Sequence, residues 1–252
     1  MGQVRQVPTA ERGQLALLID ERSAADAMAG YYALHHPGER VALLAYYPSN
    51  STASGFLAVA QTGLDLFRPL AVPFVAQPAG MVALVRAALQ PGRPVVLHLP
   101  LDQRPWVDDV VELSSERSFE LLRLDLREFE PVINVLVVES RTPDGWPRYE
   151  IRSDDTVHVA AGLNWRAPSF AEVYVEVSPK VRGRAFGRSA LAAISARLLS
   201  ESVVALFRVA DGDESTRHEA MRLGFRSTGV RTMTAQALLR EGPSNPQPRR
   251  NA

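Results

Sequence analysis

An arginine- and glycine-containing turn between an apolar strand and a helix carries the clearest chemical signal in this chain. It reads Arg182-Gly-Arg-Ala-Phe-Gly187. Backbone N–H groups at the start of a helix have no acceptor within the helix and carry partial positive charge, so they attract anions. Glycine lets the backbone approach a ligand closely, and arginine binds phosphate through forked hydrogen bonds. The turn therefore predicts a pyrophosphate cradle, surrounded by three arginines: Arg182, Arg184 and Arg188.

Two better-known phosphate-binding patterns are missing from this turn. It has neither the Gly-Lys-Ser/Thr ending of a Walker loop nor the dinucleotide pattern Gly-x-Gly-x-x-Gly. Taken alone, an arginine–glycine turn before a helix is also typical of a solvated helix cap. The loop sequence by itself does not decide between a pyrophosphate cradle and a solvated helix cap. The predicted elements on either side of the loop are needed for that decision.

The elements around the turn alternate between strands and helices. β-branched runs predict strands and the apolar spacing between them predicts helices. An order of strands followed by strand, helix, strand, helix, strand favours a mixed α/β sheet flanked by helices. The predicted strands are 132–138, 148–152, 156–161, 170–177, 203–209 and 225–235, and the predicted helices are 184–200 and 213–223.

The sequence pattern predicts that the chain has four parts. Residues 1–12 are predicted to be a flexible leader, and 13–130 an N-terminal α/β half. Residues 131–240 form the second half, and the proline-bearing residues 241–252 are predicted to be a disordered tail. Both halves mix strands and helices in similar amounts, which leaves open that the first is a degenerate copy of the second.

Composition narrows the classes of function. Hydrophobic residues make up 46% of the 252 and the formal net charge is +0, so no global field attracts nucleic acid or an anionic membrane. The absence of cysteine excludes disulfides and thiolate chemistry, and no metal site is expected. No run of about 18 apolar residues and no signal-peptide pattern is present, so a cytoplasmic protein without a membrane or nucleic-acid partner is expected.

The turn and its context resemble the acetyl-CoA loop of the GNAT superfamily of N-acetyltransferases. The family signature is Arg/Gln-x-x-Gly-x-Gly/Ala after an apolar strand, and Ala185 here replaces the first glycine. Leu223-Gly-Phe225 and the helix around Asp213-Glu-Ser-Thr are also similar to this family. The resemblance covers about residues 132–236. It implies a mixed, mostly antiparallel central sheet flanked by helices.

The resemblance also implies a cofactor site for acetyl-CoA. Backbone groups of Val175 and Val177 would pair with the pantetheine arm like an added β-strand. Ser215, at the start of the next helix, would line the CoA channel. The pyrophosphate would be held by the loop and the first turn of its helix: Arg182, Gly183, Arg184, Ala185, Phe186, Gly187, Arg188 and Ser189.

The implied reaction is direct transfer of an acyl group from acetyl-CoA, or a related acyl-CoA, to an amine of a small molecule, peptide or protein. Glu172 is the candidate general base, because some family members place a catalytic glutamate on this strand. The alternative is that Glu172 and Glu176, four residues apart, are outward residues on one sheet face. The tyrosine that many members use as general acid is replaced by Ala220, and Tyr174 or His218 lies nearby in sequence.

Two other functions remain open at this stage. Ala185 and the missing tyrosine also fit a catalytically silent CoA-binding or regulatory protein. A protein that kept the fold and lost the ligand would be an interaction scaffold. A homodimer is expected only because oligomers are common among such folds.

Overall fold

The computed structural model describes residues 2–49, 52–63, 65, 67–131, 135–153 and 155–240. The tail predicted at 241–252 lies outside these residues. The helices are α1 (Ala27–Gly30), α2 (Pro78–Ala88), α3 (Phe186–Ser200) and α4 (Glu214–Arg222). The strands are β1 (Gln3–Val7), β2 (Val41–Tyr47), β3 (Gly55–Ala60), β4 (Leu70–Val75), β5 (Val95–Pro100), β6 (Val111–Leu124), β7 (Val138–Arg141), β8 (Pro147–Ser153), β9 (Thr156–Arg166), β10 (Phe170–Val177), β11 (Val204–Ala210) and β12 (Phe225–Leu239).

The chain folds as two compact units. The first is built from the described residues of Met1–Glu11, Gly38–Glu116 and Thr234–Ala252, and the second from Arg12–Pro37 and Arg117–Met233. The sequence placed a single boundary near residue 131. The difference arises because each of the long strands β6 and β12 contributes residues to both units, and such a strand carries no turn signal at the point of division.

The first unit begins with a strand where the sequence predicted a flexible leader. Strand β1 pairs antiparallel with β2, from Gln3↔Tyr47 to Val7↔Leu43. Its valines, Val4 and Val7, are three residues apart, so the sequence lacks the regular alternation of a half-buried strand, although Val7 is buried. Strands β2, β3 and β4 continue as an antiparallel meander, after which α2 crosses over and β5 returns parallel to β4.

The second unit contains a sheet in the order β12-β6-β11-β10-β9-β8-β7. Neighbours from β7 to β10 are antiparallel, β10 and β11 are parallel, and β11 and β6 are antiparallel. Helix α3 makes the crossover from β10 to β11, and its fully buried Ala190, Ile194 and Leu198 recur at helical spacing. Ala171 and Val173 of β10 share this core.

The alternation of β10 assigns its two faces. Ala171 and Val173 are buried in the core with α3, and Val175 and Val177 pack against that core. Because side chains alternate along a strand, residues 172, 174 and 176 face the opposite side of the sheet. Across the described residues, no helix is both long and apolar enough to cross a bilayer.

Candidate functional site

Strands β10 and β11 separate part-way along their length. Their parallel pairing runs from Phe170↔Val204 to Val173↔Phe207 and ends there, although β10 continues to Val177 and β11 to Ala210. On its other edge β10 remains paired with β9 as far as Val177↔Val159. Residues 174–177 therefore have no β11 partner, and a strand edge without a partner offers N–H and C=O groups to an extended ligand.

The separated end of β10 leads into the start of α3 through a tight loop. A short 3-10 turn, Pro179–Val181, is followed by two residues in the left-handed region, Gly183 at φ +80° and Ala185 at φ +57°. Ala185 is the N-cap of α3 and makes no side-chain capping bond. The N–H groups of the first helical turn thus lack a side-chain cap and lie just beyond the free strand edge.

Ala185 holds a conformation that glycine adopts more readily. A side chain in the left-handed region clashes with the backbone and costs about 1–2 kcal/mol. The replacement of the first glycine of the family signature by Ala185 thus introduces backbone strain. The loop keeps the left-handed turn of a glycine-containing cradle even though a glycine is missing.

Gly187 lets the start of α3 pack closely against β10. A Cβ at this position would lie 3.0 Å from Val177 Cγ2 and 3.6 Å from Val175 Cγ1. The first turn of α3 therefore sits directly against the end of β10. This contact fixes the helix start beside the free strand edge, and the role of Gly187 in ligand binding stays a prediction.

The loop arginines differ in their surroundings. Arg182 and Arg184 are exposed, and neither pairs with a carboxylate of the described chain. Arg188 points away from the loop to Glu219 of α4, with a 3.0 Å ion pair and a side chain 14% exposed. Ser189, at the start of α3, is buried. Of the three loop arginines, Arg182 and Arg184 thus keep a positive charge without an ion-pair partner among the described residues.

Helix α4 approaches the first turn of α3 through Glu219. The helix begins with Asp213, whose Oδ1 accepts the backbone N–H of Thr216 at 3.1 Å. Ser215 is exposed and lies four residues before Glu219, so both are on one side of the helix. Ser215 therefore lies on the side of α4 that carries Glu219, the partner of Arg188 in α3.

Glu172 lies in a closed polar network at the point where β10 and β11 separate. Its side chain is 2% exposed. Oε1 accepts Asn164 Nδ2 at 2.7 Å and the Arg208 guanidinium at 2.9 and 2.8 Å, and Oε2 accepts Trp165 Nε1 at 3.0 Å. These donors come from β9 and β11. The carboxylate predicted as a general base is therefore buried and bonded at both oxygens.

A β-bulge brings two of these donors together. The register between β10 and β9 passes from Glu172↔Trp165 to Val173↔Leu163, so Asn164 is an extra residue in β9. A bulge of this kind lets two successive side chains reach the same region. Both Asn164 and Trp165 consequently donate to one carboxylate, which regular alternation would not allow.

The aromatic ring of Tyr31, in the helical turn after α1, packs against this network. The Tyr31 ring stacks on Trp165 with ring centroids 5.6 Å apart, and its hydroxyl lies 3.1 Å from His36 Nδ1. Burial, followed by the charge of Asp144, raises the pKa of Tyr31 to about 12. Burial, followed by the Glu172 charge, also raises the pKa of Tyr32. Both phenols stay protonated at neutral pH.

Tyr174 is the first residue of β10 beyond its pairing with β11. Its ring covers Gly162 of β9, where an added Cβ would lie 2.7 Å from the tyrosine hydroxyl. Burial raises the pKa of Tyr174. The hydroxyl thus lies over β9, while the backbone of Tyr174 directly follows the last pair between β10 and β11. His218, the other candidate acid, is exposed on α4.

Comparisons with known proteins bear on the fold. No protein-family model matches the chain, and no curated protein sequence matches it significantly. Solved structures do match at low sequence identity, 10–17% among those compared. The tandem GNAT protein from the clavulanic acid biosynthesis pathway is 15% identical with a TM-score of 0.60, over 96% of this chain and 100% of that one. The GCN5-related N-acetyltransferase from Sphaerobacter thermophilus is 12% identical with a TM-score of 0.62, over 96% and 97%. That from Kribbella flavida is 15% identical with a TM-score of 0.55, over 75% and 88%.

The chain has the GNAT fold. The resemblance found in Arg182–Gly187 and the mixed, mostly antiparallel sheet are confirmed at the level of fold. The match to a tandem GNAT protein over nearly the whole chain also fits the arrangement in two halves.

The first unit repeats the crossover of the GNAT fold but closes its strand edge. Strands β4 and β5 pair in parallel only at Leu70↔Val96 and Ala71↔Leu97, and α2 connects them. The carbonyl of Val75, at the end of β4, accepts Gln103 Nε2 at 3.2 Å. Pro78 is the first residue of α2, and because proline has no backbone N–H, this helix start has one donor fewer. In the first unit, therefore, the carbonyl at the strand end is hydrogen-bonded and the helix start lacks one N–H. In the second unit the strand edge is free and the helix start has no side-chain cap.

Sequence reasoning missed the partners of Glu172. Neither Arg208 nor Tyr31 was singled out as a candidate site residue. One signal was available: Arg208 interrupts an apolar run in a predicted strand, where a charged side chain needs a buried partner. The bulge that adds Asn164 depends on strand register and leaves no such mark.

Replacing Ala185 with glycine should stabilise the protein. Glycine relieves the left-handed strain, so we expect a gain of about 1 kcal/mol, or an unfolding temperature about 2–4 °C higher. The matched control is Ala196→Gly in the regular part of α3, which should lose about 1 kcal/mol. Thermal unfolding measures both. A lower unfolding temperature for Ala185→Gly would contradict the left-handed conformation.

Replacing Glu172 with alanine should destabilise the protein strongly. The change leaves Arg208, Trp165 and Asn164 donors without their acceptor, and breaking a buried ion pair costs about 3–5 kcal/mol. The control is Glu176→Gln on the same face of β10, an exposed site where we expect a change within about 0.5 kcal/mol. Denaturant unfolding should separate the two variants, and equal stabilities would refute the closed network.

Proposed function

We propose that the second unit binds acetyl-CoA, or a related acyl-CoA, between β10 and β11 and transfers the acyl group to an amine. One observation carries this proposal. The free edge at residues 174–177 leads directly into the uncapped start of α3. A ligand with an extended amide-bearing arm and an anionic end, as in CoA, matches the two features in that order.

Each part of CoA has a candidate partner. The amide groups of pantetheine would pair with backbone groups of Val175 and Val177. The pyrophosphate would lie at the N–H groups from Gly183 through the first turn of α3, with Arg182 and Arg184 as the free cations. Ser215 would line the channel from α4.

The transfer step needs an amine without its extra proton. The amine nitrogen attacks the thioester carbonyl carbon, a C–N bond forms and the C–S bond breaks. The departing thiolate then takes a proton. Tyr174 is our candidate for that proton donor, because its phenol is protonated at neutral pH and the residue directly follows the last pair between β10 and β11.

We assign Glu172 a positioning role in place of the general base expected from the sequence. A substrate amine cannot reach a carboxylate that is 2% exposed and bonded at both oxygens. Its four hydrogen bonds instead connect β9 and β11 to β10 at the point where β10 and β11 separate, here called the fork. Deprotonation of the amine would then fall to water or occur before binding.

The pH profile of Glu172→Gln separates the two roles. A positioning residue leaves the shape of the rate profile unchanged, since no essential proton transfer is lost, although the variant is less stable. A general base would instead give a profile whose acid limb is lost or displaced. Rates should be measured at a temperature where the variant is folded, with Glu176→Gln alongside as the control.

A second candidate is a CoA-binding protein without transferase activity. Ala220 occupies the place of the usual tyrosine and is fully buried, and Glu172 is closed off. Thiol release from acetyl-CoA across a panel of amines separates the two functions. Release above the amine-free rate supports the transferase, and binding without release supports the silent protein.

Calorimetric titration with acetyl-CoA tests the site itself. We expect binding in the micromolar range, about 8 kcal/mol, at one molecule per chain because the edge of the first unit is closed by Gln103. The double variant Arg182→Gln/Arg184→Gln should bind about tenfold or more weakly. Arg86→Gln, an exposed change on α2, should bind like the parent. No binding by the folded parent protein would refute the proposal.

A further inference from the structure

A second cleft lies in the second unit, at the end of β10 and β11 where the two strands are paired. It has a volume of about 680 Å³ and is lined by the segment before α1, the end of β6 with its following turn, and the start of β12. Small-molecule sites commonly have volumes of roughly 300–1,000 Å³. The cleft is therefore large enough for a metabolite-sized ligand.

Positive charge dominates the lining of this cleft. Among the described residues that line it, Asp125 has the only carboxylate, and the arginines are Arg22, Arg123, Arg127 and Arg226. Arg226 is occupied, because it pairs with Glu128 and donates to the Met221 carbonyl at 2.9 Å. Within the described part of the chain, the other three have no carboxylate within ion-pair distance. A neutral protein thus concentrates three unneutralised guanidinium groups in one cleft.

The backbone that carries these arginines is held in place. Asp125 Oδ1 accepts the N–H of Arg127 at 2.9 Å, so the one carboxylate is engaged within its own turn. Asp20 Oδ1 accepts the N–H of Arg22 at 2.9 Å in the same way. The Arg123 guanidinium lies 5.5 Å from the ring centre of Phe170. The arginines therefore project from fixed positions, which lowers the entropy cost of binding an anion.

The cleft is separate from the proposed acetyl-CoA site. Arg123 is opposite Leu206 of β11, and Leu206 is opposite Glu172 of β10. That row belongs to the paired half of the strands, whereas the free edge begins after Val173. Asp125 and Arg127 lie further along the chain, beyond the end of β6. The two sites thus occupy opposite ends of β10.

We propose that this cleft binds a small molecule bearing two or more anionic oxygen groups, as carboxylate or phosphate. Guanidinium forks suit both groups. Exposed Leu126 and the nearby Val230 supply apolar contact for the carbon skeleton of the ligand. This proposal does not depend on acetyl-CoA binding.

Titration with pyrophosphate and, separately, with citrate tests the cleft. At least one probe should bind with a dissociation constant below about 1 mM, and the tighter probe identifies the phosphate or carboxylate class. Arg123→Gln/Arg127→Gln should weaken that binding about tenfold or more, without lowering the unfolding temperature, because both side chains are exposed. Arg86→Gln is the matched control and should bind like the parent.

The loop variant Arg182→Gln/Arg184→Gln locates the bound anion. Binding that persists in this variant supports the cleft. Binding that is lost there and kept in Arg123→Gln/Arg127→Gln would place the anion at α3 and overturn the proposal. Failure of both probes to bind the parent protein would overturn it as well. Both of these contradicting outcomes are measured without acetyl-CoA. Failure of the cleft proposal can therefore be told apart from failure of the transferase proposal.

Discussion

The buried carboxylate of Glu172 joins three strands at the point where β10 and β11 part. Asn164 and Trp165 bind it from β9, and Arg208 binds it from β11. Arg208 lies one residue beyond the last paired position of its strand, so its guanidinium reaches back across the fork. A buried ion pair adds little net stability compared with apolar packing, but breaking it is costly. The network therefore fixes where the strands stop pairing.

The free strand edge and the anion-attracting helix start follow from that fork. Once β10 leaves β11, its last residues keep only β9 as a partner. Gly187 then allows α3 to begin against Val175 and Val177, which sets the helix start beside the free edge. The left-handed residues Gly183 and Ala185 make the turn between them. Three local constraints thus bring together a peptide-like edge and a site for an anion.

The two units show how one crossover can be open or closed. Each contains a strand, a helix and a parallel strand whose pairing stops early. In the first unit a glutamine side chain takes the carbonyl at the strand end, and proline starts the helix. In the second unit the corresponding strand edge has no strand partner. The GNAT fold alone therefore does not make a site, and the side chains around the crossover decide whether one is present.

Much of the second unit could be predicted from the sequence because its signals are local. The strand at 170–177 has the predicted bounds, and the helix predicted from 184 begins at Phe186 because Ala185 is left-handed. The strand predicted at 132–138 begins only at Val138 within the described residues. The surroundings of Glu172 could not be predicted, because they depend on a bulge in β9 and on an arginine 36 residues away. Long-range register leaves no local pattern.

Amide hydrogen exchange with and without acetyl-CoA tests the central claim most directly. The claim is that the free edge of β10 and the start of α3 hold the cofactor. Bound acetyl-CoA should slow exchange across residues 174–189, because unpaired N–H groups gain acceptors. Exchange at residues 70–77 of the first unit, where the edge is closed, should stay the same. An unchanged rate across 174–189 at saturating acetyl-CoA would contradict the account.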